Sequence, residues 1–185
     1  MAVKTIGTPL TDVVVRGLRA GDHVRITGVL YQARDAAHKR LAALIEGGEP
    51  LPFDLRGAIV YYMGPSPAPP GRVIGSAGPT TSGRMDAYTP QLLGMGLKGM
   101  VGKGARSQAV RDAIRESAAV YLAATGGAGA LLSTHVVGHE VIAYPELGAE
   151  AVARLQVEDF PAVVVNDCFG GDLYEQGRAA YERGG

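Results

Sequence analysis

Residues 24–48 read VRITGVLYQARDAAHKRLAALIEGG and combine two hydrophobic periodicities in one short segment. Residues 24–31 alternate in the manner of a β-strand, whereas the apolar residues of 35–46 return at helical spacing. Asp35 stands at the predicted helix start as an N-cap, and the glycine pair at the end is a stop signal. Because a strand leading directly into a helix is the unit of α/β proteins, this segment predicts a layered α/β fold.

The remainder of the chain continues this mixture of short elements. Residues 64–71 (GPSPAPPG) contain four prolines and predict a stiff surface loop. Residues 107–124 predict a helix, because their apolar side chains recur at helical spacing. Shorter patterns predict extended segments at 57–63, 73–74, 100–101, 130–137, 140–143 and 162–165, and helices at 87–93, 149–155 and 173–182. This order favours a single layered α/β domain over residues 1–185, and disfavours a doubly wound sheet.

The composition limits the classes of function. Of the 185 residues, 46% are hydrophobic and 19% charged, which is typical of a globular protein. The 18 lysines and arginines balance the 18 aspartates and glutamates, so no overall charge attracts nucleic acid or an anionic membrane. The N-terminal residues lack the apolar core of a secretory signal, and no apolar run reaches the length of a membrane helix. We therefore expect a cytoplasmic location.

Several apparent motifs predict no cofactor site in this chain. Cys168 is the only cysteine, so it can form no internal disulfide and cannot alone hold a structural zinc ion or an iron-sulfur cluster. His135 and His139 would lie about 13 Å apart in an extended strand, too far to share a metal ion. Residues 94–99 match G-x-G-x-x-G but follow a predicted helix, and residues 102–104 lack the rest of a P-loop, so neither predicts nucleotide binding.

Three cations occupy the same predicted context, in which each follows a strand and precedes a helix. Arg34 lies before the helix at 35–46, Arg84 before the helix at 87–93 and Lys103 before the helix at 107–124. Any one of them alone is more commonly a solvated surface residue. In α/β folds, however, ligands bind outside the carboxyl ends of the strands, where helix N-termini favour anions. Two arginines and a lysine there suit a small dicarboxylate, and phosphate stays an alternative.

The segment GPTTSGR (residues 78–84) places three hydroxyls, those of Thr80, Thr81 and Ser82, between two glycines. Such hydroxyls and the neighbouring backbone N–H groups can face a ligand at close range. The alternative is a turn in which the hydroxyls bond to the local backbone, which is the commoner use of these residues. Composition alone does not separate the two interpretations.

Three blocks carry a family resemblance: GPTTSGRMDAYTPQLL (residues 78–93), GLKGMVGKG (96–104) and LRAGDHVRITGVLYQARDAAHKR (18–40). Together they resemble the β subunit, or C-terminal domain, of the class I iron-sulfur-dependent fumarate hydratases and L(+)-tartrate dehydratases. The likeness implies a swivelling β/β/α domain. It also implies a [4Fe-4S] cluster bound not by this chain but by three cysteines of a partner α subunit, in a heterotetramer or a similar oligomer. The open iron would act as a Lewis acid on the substrate.

The resemblance also implies roles for individual residues. Arg34, Thr81, Arg84 and Lys103 would bind the substrate, and Thr80 would be the catalytic hydroxyl. Three further residues would support the site: Asp35, His38 and Ser82. The chain departs from the family near its C-terminus, where residues 166–172 read NDCFGGD in place of the usual acidic-glycine-asparagine-aspartate pattern.

The implied reaction is the reversible addition or removal of water on a four-carbon dicarboxylate. The substrate pair would be fumarate and malate, or oxaloacetate and tartrate, and one pocket side chain could decide between them. The competing hypothesis is a non-enzymatic module that binds a small anion such as a dicarboxylate or phosphate. The three cations and the glycine turns by themselves permit either function.

Overall fold

The computed structural model describes residues 3–182, which form a mixed α/β fold built on one seven-stranded sheet. The strands are β1 (Lys4–Gly7), β2 (His23–Gln32), β3 (Ile59–Tyr61), β4 (Gly99–Gly102), β5 (Val120–Ala123), β6 (Val136–Ala143) and β7 (Val152–Asn166). The helices are α1 (Asp12–Arg16), α2 (Asp35–Gly47), α3 (Thr89–Gly94), α4 (Gln108–Glu116), α5 (Gly129–Ser133) and α6 (Leu173–Tyr181), with 3-10 helices at Ser82–Met85 and Pro145–Glu150. The predicted α/β class is confirmed.

The sheet closes on itself through its two longest strands. β2, β3, β4 and β5 pair in parallel in that order. β7 runs antiparallel to β5 and also to β2, which completes the circuit. β1 extends the sheet from the first half of β2, and β6 pairs with the first half of β7. The carboxyl ends of these four parallel strands therefore lie at the same end of the sheet.

Two apolar clusters cover the two faces of this sheet. Ile59 and Tyr61 of β3 belong to one cluster, together with Phe160 and other side chains of β2 and β7. Val60 and the adjacent Tyr62 belong to the other, which includes the buried side chains of α2, α3 and α4. Since successive strand residues point to opposite faces, a strand buried on both sides is a continuous apolar run.

Burial of a strand on both faces explains the largest error of the sequence prediction. The helix predicted over 107–124 ends at Glu116, and residues 120–123 form β5 between β4 and β7. Ala118 between them has φ 46°, which an α-helix cannot contain. Hydrophobic periodicity does not distinguish a strand buried on both faces from a buried helix.

Smaller predictions also need correction. The segment 130–137, predicted as extended, begins within α5, and the helix predicted at 149–155 is a 3-10 turn followed by the start of β7. The predicted extended segment at 73–74 is not a strand. Asp35, predicted as the N-cap of this helix, is the first helical residue of α2, and Arg34 is the N-cap. The helix dipole still stabilises the Asp35 carboxylate at that position. The long strand β7 is stabilised by partners distant in sequence, which local patterns do not reveal.

The proline-rich segment 64–71 contains no regular secondary structure, as predicted. Over residues 3–182, the structure contains no helix with both the length and the apolar character needed to cross a membrane.

Candidate active site

The three cations predicted to bind an anion lie near the carboxyl ends of the parallel strands. Arg34 follows β2 by two residues, and Lys103 follows β4 directly. Arg84 lies in the 3-10 helix Ser82–Met85. Ligands of α/β folds bind outside this end of the strands.

Backbone hydrogen bonds attach the hydroxyl-rich segment to the end of β4. The Thr80 N–H donates to the Tyr62 carbonyl at 2.6 Å, and the Lys103 N–H donates to the Thr80 carbonyl at 3.2 Å. The Ser82 N–H donates in turn to the Lys103 carbonyl at 2.9 Å, so Thr81 pairs with Lys103 as in a short parallel ladder. We call residues 78–84 together with 102–104 the paired loop. Its backbone brings Thr80, Thr81 and Lys103 side by side.

Ser82 supports the paired loop from within the protein. Its side chain is buried, and its hydroxyl lies 2.8 Å from the Tyr121 hydroxyl, which itself donates to the Gly104 carbonyl at 2.8 Å. A Cβ atom on Gly102 would lie 2.1 Å from the Ser82 oxygen, so only glycine allows this approach. Ser82 thus faces the core, and its hydroxyl lies between the paired loop and β5.

Unlike Ser82, the other polar side chains of the paired loop lie at the surface. Thr81, Arg84 and Lys103 are exposed, and Thr80 is half-buried. Within residues 3–182, neither Arg84 nor Lys103 forms an ion pair. Two uncompensated cations with adjacent hydroxyls form an open surface suited to an anion.

A buried ion pair beneath the paired loop was not identified from the sequence. The Arg106 side chain is fully buried, and its Nε donates to Asp86 at 2.8 Å. Arg106 Nη2 also donates to the Thr89 hydroxyl at 2.8 Å, and the Ser107 N–H donates to Asp86 at 2.6 Å. The guanidinium lies 5.3 Å from the ring centre of Tyr62. Asp86 and Arg106 therefore tie the 3-10 helix bearing Arg84 to the segment that follows Lys103.

Arg34 is held differently, by side-chain contacts. Its Nη2 lies 2.9 Å from the Glu150 carboxylate, and its Nε lies 3.7 Å from Asp35. The guanidinium packs against Gly64, where an added Cβ would lie 2.9 Å from Nη1 and 2.8 Å from the Ala149 carbonyl. We call Arg34, Gly64, Ala149 and Glu150 the Arg34 slot. The Arg34 side chain is 21% exposed, so it is partly available to a ligand.

His38 lies behind Arg34 and does not reach the surface. It is fully buried, its Nδ1 donates to the Arg34 carbonyl at 2.8 Å, and its ring meets Tyr62 edge-on at 5.3 Å. Burial, opposed in part by that hydrogen bond, lowers the pKa of His38 to about 4. His38 is thus neutral near pH 7 and braces the start of α2, while Asp35 lies beside the Arg34 guanidinium.

Residues 3–182 offer no group of side chains that fits a metal cluster. Cys168 is buried in the loop after β7, and burial raises the pKa of its thiol. The loop is fixed by Asp167, which accepts N–H bonds from Ala20, Phe169 and Gly171. In the described part of the chain, no three His, Cys, Asp or Glu side chains are grouped so that they could hold a metal ion. A cluster built on several thiolates has no ligand set here.

The amino-acid sequence is similar to those of proteins named as enzymes. The chain is 43% identical to the anaerobic class I fumarate hydratase of Escherichia coli strain K12 over 153 residues, which are 82% of this chain and 28% of that protein. It is 40% identical to fumarate hydratase 2 of Leishmania major over 158 residues, or 84% of this chain and 28% of that protein. The chain thus spans little more than a quarter of these relatives.

A relative of similar length also exists. A Methanocaldococcus jannaschii protein that bears the provisional name L(+)-tartrate dehydratase subunit beta is 36% identical over 181 residues, which cover 94% of this chain and 93% of that protein. The family model described as the fumarase C-terminus matches residues 3–177. The chain therefore belongs to the fumarase C-terminus family, as its motifs predicted.

Proposed function

We propose that this chain is the β subunit of a heteromeric, [4Fe-4S]-dependent hydro-lyase that adds water to, or removes it from, a four-carbon dicarboxylate. The observation that carries the proposal is the paired loop, whose backbone sets Thr80 and Thr81 beside Lys103 at the strand ends. Family membership and the printed names of the relatives, fumarate hydratases and a tartrate dehydratase subunit beta, support it. The substrate is fumarate and malate, or oxaloacetate and tartrate.

The cations divide the binding of a dicarboxylate between them. Arg84 presents an exposed guanidinium that can grip a carboxylate with two hydrogen bonds. Arg34, whose Nη2 is paired with Glu150 and whose side chain is 21% exposed, offers its remaining donors. Lys103 supplies a compact positive charge and three rotatable donors. The hydroxyl and backbone of Thr81 lie next to Lys103 in the ladder. Substrate binding thus draws on residues at the ends of β2 and β4 and on the loop between β3 and α3.

Thr80 is the candidate for moving the proton at C3 of the substrate. Its backbone is fixed on both sides, by the Tyr62 carbonyl and by the Lys103 N–H. A threonine hydroxyl is a poor base at neutral pH, so it needs an activator that lowers its pKa or relays the proton. The nearby cations Arg84 and Lys103 contribute, and an acidic residue of the partner shares the task.

The open geometry calls for a partner. The substrate-binding candidates lie on an exposed surface, whereas catalysis of this kind requires a site shielded from bulk solvent that still admits the one reacting water molecule. An α subunit with three cluster cysteines, assembled with this chain in a heterotetramer or similar oligomer, would close it. The cluster, held by that subunit, would supply Lewis acid chemistry.

The test is reconstitution. The chain is co-expressed with a protein from a neighbouring reading frame that encodes three separated cysteines, and the complex is assayed without oxygen on malate, fumarate and both tartrates. We expect a brown, oxygen-sensitive, active complex, and a colourless, inactive chain on its own. Stoichiometric iron-sulfur absorption in the isolated chain would contradict the assignment of the cluster. Dicarboxylate binding by the chain without activity in any complex would favour the anion-binding module.

A further inference from the structure

Arg34 lies in a slot that is built around it. Its guanidinium contacts the Glu150 carboxylate at 2.9 Å on one side and the backbone of Gly64 on the other. A Cβ atom at position 64 would come within 2.9 Å of Nη1 and 2.8 Å of the Ala149 carbonyl. Even one additional carbon would therefore displace either Arg34 or the segment bearing Glu150.

Glu150 is itself fixed in place. Its second carboxylate oxygen accepts the Ala36 N–H at 3.3 Å, in the first turn of α2. The backbone on both sides of Glu150 is held by one buried amide, because Gln32 Nε2 donates to the carbonyls of Ala149 at 3.2 Å and Ala151 at 3.0 Å. A carboxylate near a helix N-terminus is also favoured by the helix dipole. Glu150 thus joins the end of β2, the start of α2 and Arg34.

Glu150 changes the net charge that Arg34 contributes to the site. The Glu150 carboxylate compensates the charge of Arg34, so this pair adds little net attraction for an anion. Arg84 and Lys103 supply that attraction from the paired loop. What the ion pair does supply is orientation, since a free arginine side chain samples many rotamers that binding would have to restrict.

We propose that Glu150 is a positioning residue that holds Arg34 in the orientation in which it meets a substrate carboxylate. The inference rests on the proposed function, in which Arg34 binds that carboxylate. Arg40 and Glu146 offer a matched control, because they form a second Arg–Glu pair between the same helix and the same 3-10 segment. Neither Arg40 nor Glu146 belongs to the candidate site.

The first experiment needs no enzymatic activity. The full chain is treated with phenylglyoxal, and modification of Arg34 and Arg84 is followed by peptide mass spectrometry. In Glu150→Ala and Gly64→Ala, Arg34 should react about threefold faster than in the wild-type chain, the scale that release of a partly exposed ion pair supports. Arg84 should be unaffected, and Glu146→Ala should not change Arg34. Equal Arg34 rates in Glu150→Ala and wild type would overturn the positioning role, whether or not the complex is active.

The second experiment measures the consequence in the reconstituted complex. Glu150→Ala should raise KM and lower kcat/KM by about tenfold, because orientation that was present before binding must now be gained during it. Glu150→Gln keeps the hydrogen-bond acceptors and should recover part of the loss, and Glu146→Ala should match wild type. If Arg34 reactivity rises in Glu150→Ala while kcat/KM stays at the wild-type value, the proposal is wrong. If the wild-type complex itself lacks activity, the proposed function fails and the reactivity result still decides whether Glu150 holds Arg34.

Discussion

The Arg34 slot and the paired loop both present cations at the carboxyl end of the parallel strands, but they hold them in different ways. In the slot, the side chain is held, by an ion pair to Glu150 and by the backbone of Gly64. In the paired loop, the backbone is held, by hydrogen bonds through Thr80, Ser82 and Lys103. Arg84 and Lys103 are left exposed there.

The difference indicates a division of labour. A guanidinium whose charge is neutralised by a carboxylate and whose orientation is fixed can define where one end of a substrate lies. It adds little to the long-range electrostatic attraction for an anion. Uncompensated cations on a fixed backbone attract an anion and can adjust to it, at the cost of ordering their side chains. We therefore expect substitutions in the two regions to give different kinetic and stability signatures.

The largest effect should come from the hydroxyl of the paired loop. Thr80→Val keeps the shape of the side chain and removes general base catalysis, so kcat should fall by about 10² to 10⁴ with little change in KM. Thr80→Ser should recover part of the rate. Steady-state kinetics of the complex and solvent deuterium exchange into C3 of the substrate measure this. Wild-type exchange in the valine variant would show that Thr80 only shapes the loop.

Next in size is the support beneath the paired loop. Asp86→Asn leaves the buried Arg106 without its counter-charge and should lower the free energy of unfolding by about 3 kcal/mol. Asp54→Asn is the matched control, because Asp54 and Arg56 form an ion pair with the same 2.8 Å separation on the surface. Urea denaturation of the chain compares them. Equal stability of the two variants would show that the buried pair does not anchor the loop.

Arg84 tests whether the exposed cations bind the substrate. Arg84→Ala should cost about 2–4 kcal/mol of transition-state stabilisation, and Arg84→Lys, which keeps the charge and loses the bidentate geometry, should cost less. Folding should be unchanged, since Arg84 is exposed. The ratio kcat/KM in the complex is the measurement. If both variants match wild type, Arg84 is an ordinary surface residue and the anion site is misplaced.

The smallest effect concerns pH and the start of α2. Because burial lowers the pKa of His38 from 6.5 to about 4 in the folded chain, the unfolded chain binds more protons between these values, and stability must fall as pH drops through that window. Between pH 7.5 and pH 5 the loss should be about 2 kcal/mol.

Urea unfolding at the two pH values measures the loss. His38→Gln should abolish most of this dependence, whereas His139→Gln, which removes a less buried histidine, should keep it. A dependence that persists undiminished in His38→Gln would assign it to other groups.

Elements whose signals lie within about a dozen residues were predicted well. The strand and helix of residues 24–48 appear as β2 and α2, and the helix predicted from residue 107 begins there as α4, where the Ser107 hydroxyl accepts the Val110 N–H. Of β7 only residues 162–165 were predicted as extended, and β5 was missed, because both strands are defined by pairing across the sheet. Tyr121 and Leu122 satisfy a helical pattern locally, and only the neighbouring strands make them extended.

The sequence by itself determined the family and the α/β class, because motifs and periodicities are written in neighbouring positions, and it supplied the site residues as a prediction. Only the tertiary structure decided how each residue is held. Arg106 meets Asp86 from 20 residues away, and Glu150 meets the N-terminus of α2 from 114 residues away. These partners are distant in the sequence and are brought together by the fold. A charge in the sequence has no fixed environment until folding sets its distance from other charges and from water.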